Sequence, residues 1–185
     1  MARLVPAYQL YAIGTANKYP LTALNAAHLA GSVTLTDTAR AHEPSGTPAP
    51  DTAPSRPMSA QMLDAAPTLA VANEAMLDLT DAFRREVPFV PVTNVVGTNS
   101  SVASDDRMTW PLPFFGASLA QVAMPGSANS NLNLNISDEN GSLICQDVGP
   151  SDTTCCSFVP ARNGMFQITV TDTGPATNSY VIAPN

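Results

Sequence analysis

Apolar positions recur at helical spacing in the first half of the chain and alternate with polar ones in the second. In the opening stretch LVPAYQLYAIGTANK, Leu10 and Ile13 share a helical face, with Tyr8 and Tyr11 flanking it. Lys18 stands where a cation suits a helix C-terminus. Pro20 cannot continue that helix but can open the next. Leu21, Leu24, Ala27 and His28 then repeat at helical spacing until Gly31 supplies a stop. The pattern predicts two short helices joined near Tyr19 and Pro20. Helix resumes after Ser59, a suitable N-cap, and a stronger helix is expected from Thr68 to about Glu86. There Leu69, Ala72, Met76, Leu79 and Phe83 draw one apolar stripe, and Asp81 precedes Arg84 and Arg85 at ion-pair spacing.

Residues 36–57 interrupt this pattern. The run HEPSGTPAPDTAPSRP holds a proline every few positions and hardly any large apolar side chain, so it reads as an extended linker with His42 solvated. From Val87 the period changes. VPFVPVTNVV suits an edge or crossover segment, and TNSSVASDD reads as loop. Short runs then follow at intervals of about ten residues: RMTWPLPFF, SLAQVAMPG, LNLNIS, SLICQ, CCSFV, MFQITVTD and SYVIA. Alternation of Leu132, Leu134 and Ile136 with asparagines marks a half-buried strand. Asn140-Gly141 and Asn163-Gly164 both carry the hairpin-turn signature. The expected fold is α+β in two parts. A helical region spans 1–86 with the Pro-rich linker at 36–57, a connecting loop spans 87–104, and an antiparallel β-sandwich spans 105–185.

The strand region also resembles the bacterial pre-peptidase C-terminal domain, a jelly-roll-like β-sandwich attached to exported proteins. The residues behind the resemblance are Asn131-Leu132-Asn133-Leu134, the turn Asp138-Glu139-Asn140-Gly141, the phrase from Phe158 to Phe166, and the closing Tyr180-Val181-Ile182. It covers roughly residues 105–185 and leaves the helical part unmatched. Where that family has aspartates in the first strand, this chain has Asn131, Asn133 and Asn135, which lack the charge that tight calcium sites use. No metal or other cofactor is expected.

Composition narrows the functional classes. Eight cations against fifteen carboxylates give a net charge of −7 over 185 residues, and no basic cluster exists to displace counterions from a phosphate backbone. Nucleic acid is therefore excluded as a partner, and no apolar run is long enough to insert in a membrane. The N-terminal stretch, broken by Pro6, Gln9 and two tyrosines, reads as folded protein rather than as a signal peptide. Only His28 and His42 are available as bases, and no nucleophile elbow, zinc-binding helix or phosphate-binding glycine loop is present. Asp105, Asp106, Asp138 and Glu139 read as turn residues. No catalytic residue is assigned, and the chain is not expected to be an enzyme.

Two features point outward. Trp110, Phe114 and Phe115 lie close together in TWPLPFF; packing at the sandwich edge or against the helices is the leading reading for Trp110, with an exposed platform for a partner or a sugar as the alternative, and the three residues are the candidate partner contacts. Cys145, Cys155 and Cys156 cluster in one segment; a disulfide, three buried thiols and a metal site are the competing readings. The resemblance brings the strands carrying Cys145 and Cys155 close together. A Cys145–Cys155 bridge is expected, because the residue nearer the loop meets its partner with less demand on register, with Cys145–Cys156 close behind and the leftover thiol buried against Phe158 or Ile144. A disulfide implies a periplasmic or extracellular location. The leading expectation is a non-catalytic exported accessory or binding protein, whose sandwich supports structure or docks a protein partner. The alternatives are a structural subunit of a larger assembly (an envelope complex or a virion) and a small hydrolase.

Overall fold

The computed structural model describes residues 3–44, 59–69, 74–86, 93–126 and 131–185. In chain order its elements are α1 (Leu4–Ala16), α2 (Pro20–Gly31), β1 (Val33–Asp37), β2 (Glu43–Pro44), α3 (Ser59–Ala65), a 3-10 turn (Ala66–Leu69) and α4 (Glu74–Glu86). The strands that follow are β3 (Thr93–Val102), β4 (Arg107–Phe114), β5 (Ala120–Pro125), β6 (Leu132–Ser137), β7 (Leu143–Asp147), β8 (Thr153–Phe158), β9 (Gly164–Asp172) and β10 (Asn178–Pro184). The chain divides into a sandwich unit (Thr36–Arg56 and Val96–Asn185) and a helical unit (Ala2–Leu35 and Pro57–Val95). The two-part α+β organisation stands, but the sandwich starts much earlier than residue 105.

In the helical unit, the turn after α1 is a Schellman motif. The Tyr19 amide donates to Gly14 O at 2.8 Å, the Lys18 amide donates to Thr15 O at 3.3 Å, and Lys18 takes a left-handed φ of 56°. Pro20 then opens α2. The faces differ from those read off the sequence. Leu4, Val5, Tyr8 and Tyr11 are buried while Ile13 is exposed, and in α2 the buried positions are Ala23, Leu24, Ala26 and Ala27 while Leu21 and His28 face outward. Helix α1 is apolar nearly all round, so periodicity could not choose its buried stripe. In α4, Met76 and Thr80 are buried, and Arg84 reaches Asp81 and Asp64.

The sandwich consists of two five-stranded sheets, β1-β3-β10-β5-β8 and β2-β4-β9-β6-β7. Strict alternation on β4, β6 and β9, and a β10 buried through Tyr180–Ala183, fill the space between them. Met108, Trp110, Leu112 and Phe114 come from β4, Leu132, Leu134 and Ile136 from β6, Phe166, Ile168 and Val170 from β9, and Tyr180 and Ile182 from β10. Pro111 and Pro113, which have no amide proton to donate, lie on the outward face of β4 opposite Gln167 and Met165 of β9, past the two residues that β2 pairs.

Three expectations are corrected here. The segment 87–104 is not simply a connecting loop, because its Thr93–Val102 forms β3 and pairs antiparallel with β10 from Val102↔Asn178 to Thr98↔Ile182. Asn99, Ser100 and Ser101 carry little strand propensity, and the ladder offered by a distant strand overrides it. The segment 36–57 is not wholly linker. Residues to Asp37 complete β1, Glu43–Pro44 pair with β4, and 45–58 lie outside the described residues. Asn140-Gly141 does close the β6–β7 hairpin, with Gly141 at φ 80°. Asn163-Gly164 does not close a hairpin, since β8 and β9 belong to different sheets.

The same separation decides the cysteines. Strand β7 ends one sheet and β8 ends the other, so the bridge crosses between sheets rather than along a ladder. Only the inward-facing member of the pair can reach Cys145, and that is Cys156, with a Cα–Cα separation of 6.1 Å. The expected Cys145–Cys155 bridge is therefore replaced by Cys145–Cys156. Cys155 is left free and exposed rather than buried. Partial desolvation and the nearby Asp147 carboxylate push its thiol up from the ordinary range, so little thiolate forms near neutrality.

Non-reducing peptide mapping should recover a Cys145–Cys156 link and alkylate Cys155 alone in the folded protein. Replacing Cys145 and Cys156 together by alanine should cost about 2–3 kcal/mol in urea unfolding.

Candidate functional site

At one end of the sandwich, the β6–β7 turn and the β8–β9 crossing border a cavity of about 230 Å³. Asp138, Glu139, Ile144, Val159, Arg162 and Met165 line its walls and rim, and Phe166 contributes to its base. Each wall has a local cause. Asp138 Oδ1 accepts from the Asn140 and Ser142 amides, both at 2.9 Å, so the turn is fixed by its own first residue. Those hydrogen bonds hold the Asp138 carboxyl below its usual range. Arg162 pairs with Glu139 across the rim.

The opposite wall is tied down by the β4–β5 loop. The Gly116 amide donates to Asn163 Oδ1 at 2.8 Å, and the Ala117 amide donates to Pro160 O at 2.8 Å. A Cβ on Gly116 would stand 2.6 Å from Arg162 Cα, so only glycine permits that approach. Below the cavity, Phe114, Phe158 and Phe166 form a three-ring cluster with centroids 5.3–5.9 Å apart. Ile144, Val159 and Met165 remain exposed around a rigid base.

The aromatic candidates separate. Trp110 is 0% exposed, and its indole Nε1 donates to Tyr180 Oη at 3.1 Å across the two sheets, so it is a core residue and not a surface platform. Burial pushes the Tyr180 phenol up to about 12. Phe114 is buried under the cavity and acts through Phe166. Phe115 is 76% exposed at the same end of the sandwich. His42 is not merely solvated, because its ring lies 4.5 Å from the Trp110 ring, just before the Glu43↔Thr109 pair of β2 and β4.

The remaining candidates take structural places. His28 meets Phe83 edge-on at 5.8 Å in the helical unit. Asp105 adopts a left-handed φ of 58°, and Asp106 Oδ1 accepts from the Arg107 amide. The Asn131 carbonyl receives the Thr173 amide, and Asn133 Oδ1 receives the Gly149 amide. Among the described residues, no three His, Cys, Asp or Glu side chains converge as metal ligands.

Sequence reasoning missed Ile144, Val159, Arg162 and Met165. One signal was present: Met165 keeps the register of Gln167, Thr169 and Thr171 on the outer face, where an apolar side chain has no core to join. Val159 and Arg162 offered no such signal, since the crossing was read as a hairpin.

No protein-family model matches the chain, and no curated protein matches it. The β-sandwich implied by the resemblance over 105–185 is present; membership of that family is not shown. Among solved structures, the chain is similar to the C-terminal CBM6 module of the marine laminarinase LamC from Zobellia galactanivorans. The identity is 16%, over 47% of this chain and 78% of that one, with a TM-score of 0.34. It is also similar to PliG of Aeromonas hydrophila, a periplasmic inhibitor of g-type lysozyme, at 15% identity over 48% and 84% of the two chains, with a TM-score of 0.34. A carbohydrate-binding module of Cellvibrio mixtus lichenase 5A matches at 14% identity over 45% and 72%, with a TM-score of 0.31. At these identities and scores the likenesses assign no ligand and no activity.

The lowered Asp138 value fixes the sign of a pH effect. A carboxylate stabilised in the native turn contributes stability above its unfolded value of about 4, and that contribution is lost as pH falls through the lower native one. Urea midpoints measured from pH 7 to pH 2 should fall less steeply at the acid end for Asp138→Asn than for the parent protein.

Proposed function

We propose that this chain is a non-catalytic, exported binding protein whose sandwich docks a protein partner at the end formed by Asp138–Ser142 and Val159–Gly164. One observation carries the reading: Ile144, Val159 and Met165 stay exposed around a formed cavity, and Met165 is the apolar exception on a β9 outer face that otherwise carries Gln167, Thr169 and Thr171. Exposed apolar residues held by a braced frame are what an interface uses as anchors. Phe115, at the same end, adds to that surface. The Cys145–Cys156 bridge supports the exported location, since such bonds persist in oxidising compartments. Both histidines are engaged with aromatic rings in separate units, which supports a binding role over a hydrolytic one.

A second reading, a structural subunit of a larger assembly, draws on the helical unit, where Ile13, Tyr19, Leu21 and Leu77 are exposed. Photo-crosslinking in extracts of the native host separates the two. A crosslinker at Val159 should give a discrete adduct that Val159→Asp protein competes at least about tenfold less well than the parent protein. Adducts from Leu21 but not from Val159 would establish the assembly reading instead.

A further inference from the structure

We infer that the cavity at the sandwich end takes a peptide segment of a cationic partner, with one bulky apolar side chain seated among Ile144, Val159 and Met165 and a neighbouring Lys or Arg set against Asp138. The inference rests on the docking reading above and specifies the partner's chemistry. Size limits the occupant first. A cavity of about 230 Å³ falls below the roughly 300–1,000 Å³ that encloses drug-sized ligands. It accommodates a single anchor side chain of a protein chain that continues on both sides.

Charge then selects among proteins. On the rim, Glu139 and Arg162 neutralise each other, which leaves Asp138 as the uncompensated group. Its hydrogen bonds to the turn amides keep it ionised well into the acid range, so the negative charge is a fixed part of the site. The surrounding field has the same sign: the sandwich unit carries ten carboxylates against four arginines. A second copy of this chain would bring that same negative field to the contact and be repelled by it. A basic partner would be steered in, and a Lys or Arg beside the anchor would meet Asp138 at contact distance.

The test uses the full, oxidised chain and three synthetic peptides identical except at the centre: Lys-Phe-Lys, Glu-Phe-Glu and Ser-Phe-Ser, each flanked by Gly-Ser. Binding is followed by amide and methyl NMR shifts. The Lys-Phe-Lys peptide should perturb Ile144, Val159 and Met165 and bind at least about tenfold more tightly than Glu-Phe-Glu, with Ser-Phe-Ser between them. The gap should narrow several-fold in 0.5 M salt, where the Debye length shrinks to about 4 Å and solvent-exposed charges farther apart than that are screened. Asp138→Asn should close most of the gap between Lys-Phe-Lys and Glu-Phe-Glu. Arg162→Gln, which releases Glu139 and leaves the turn intact, should widen it. Equal binding of the charged peptides, or no response to either variant, would overturn the cationic partner and leave the docking reading standing. Absence of shifts at the cavity with every peptide would overturn both.

Discussion

The two sheets of the sandwich are registered face to face by one buried polar contact. Trp110 on β4 and Tyr180 on β10 belong to opposite sheets, are 0% and 1% exposed, and satisfy each other through the indole N–H and the phenol oxygen. Dispersion between Leu, Ile and Val side chains tolerates small sliding movements, whereas a hydrogen bond in a dry core does not. Slipping β4 by two positions would keep Trp110 inside but leave its buried N–H unpaired, at a cost of about 1–3 kcal/mol. With its phenol pushed up to about 12, Tyr180 stays neutral across the physiological range, so this contact does not titrate away. Its strand neighbour Ser100, opposite it on β3, adds a further hydrogen bond to the same hydroxyl.

A registered core still leaves the sandwich open along its sides, and each side is closed differently. On one side the chain between β1 and β2 passes from one sheet to the other. The Thr38 amide donates to Gly97 O, Arg40 donates to Thr98, and the Asn99 amide donates to Asp37 before Glu43–Pro44 join β4. His42 completes this strap by laying its ring against Trp110, so the strap is coupled to the core contact it covers. On the other side the Cys145–Cys156 bond joins β7 to β8, and Asp147 receives the Cys155 amide beside it. Both closures cover edges that would otherwise offer unpaired backbone groups.

How much of this could be read from the sequence follows from how local each cause is. The ends of α1 and α2 were legible because Lys18, Pro20 and Gly31 act within a turn of themselves. Strands β6 and β9 were legible because strict alternation has one meaning when one face is buried. Strand β3 was not, because its polar residues acquire a ladder only when β10 arrives from the far end of the chain. The cysteine pairing failed for a related reason: nearness in sequence suggested a hairpin, whereas the facing of a thiol depends on which sheet its strand joins. The aromatic candidates were picked by composition, which says nothing of which face a side chain takes. Trp110 and Phe114 went inward by register, Phe115 stayed exposed, and Val159 lies in a crossing that no local signal described.

The cavity inherits its rigidity from this frame. Its base, Phe166, stands on β9 between Leu112 of β4 and the Phe158 ring, so the core that fixes the sheets also fixes the floor. Its rim is made of connections, which ordinarily carry a large ordering cost on binding. Here the Asp138 turn is closed by its own side chain, and the 160–163 crossing is held from outside by Gly116 and Ala117. Much of the entropy that a mobile loop would lose on docking has therefore already been lost on folding. That arrangement explains why apolar side chains can stay exposed at this end without collapsing onto one another: the backbone beneath them is too well tied to let them close the cavity.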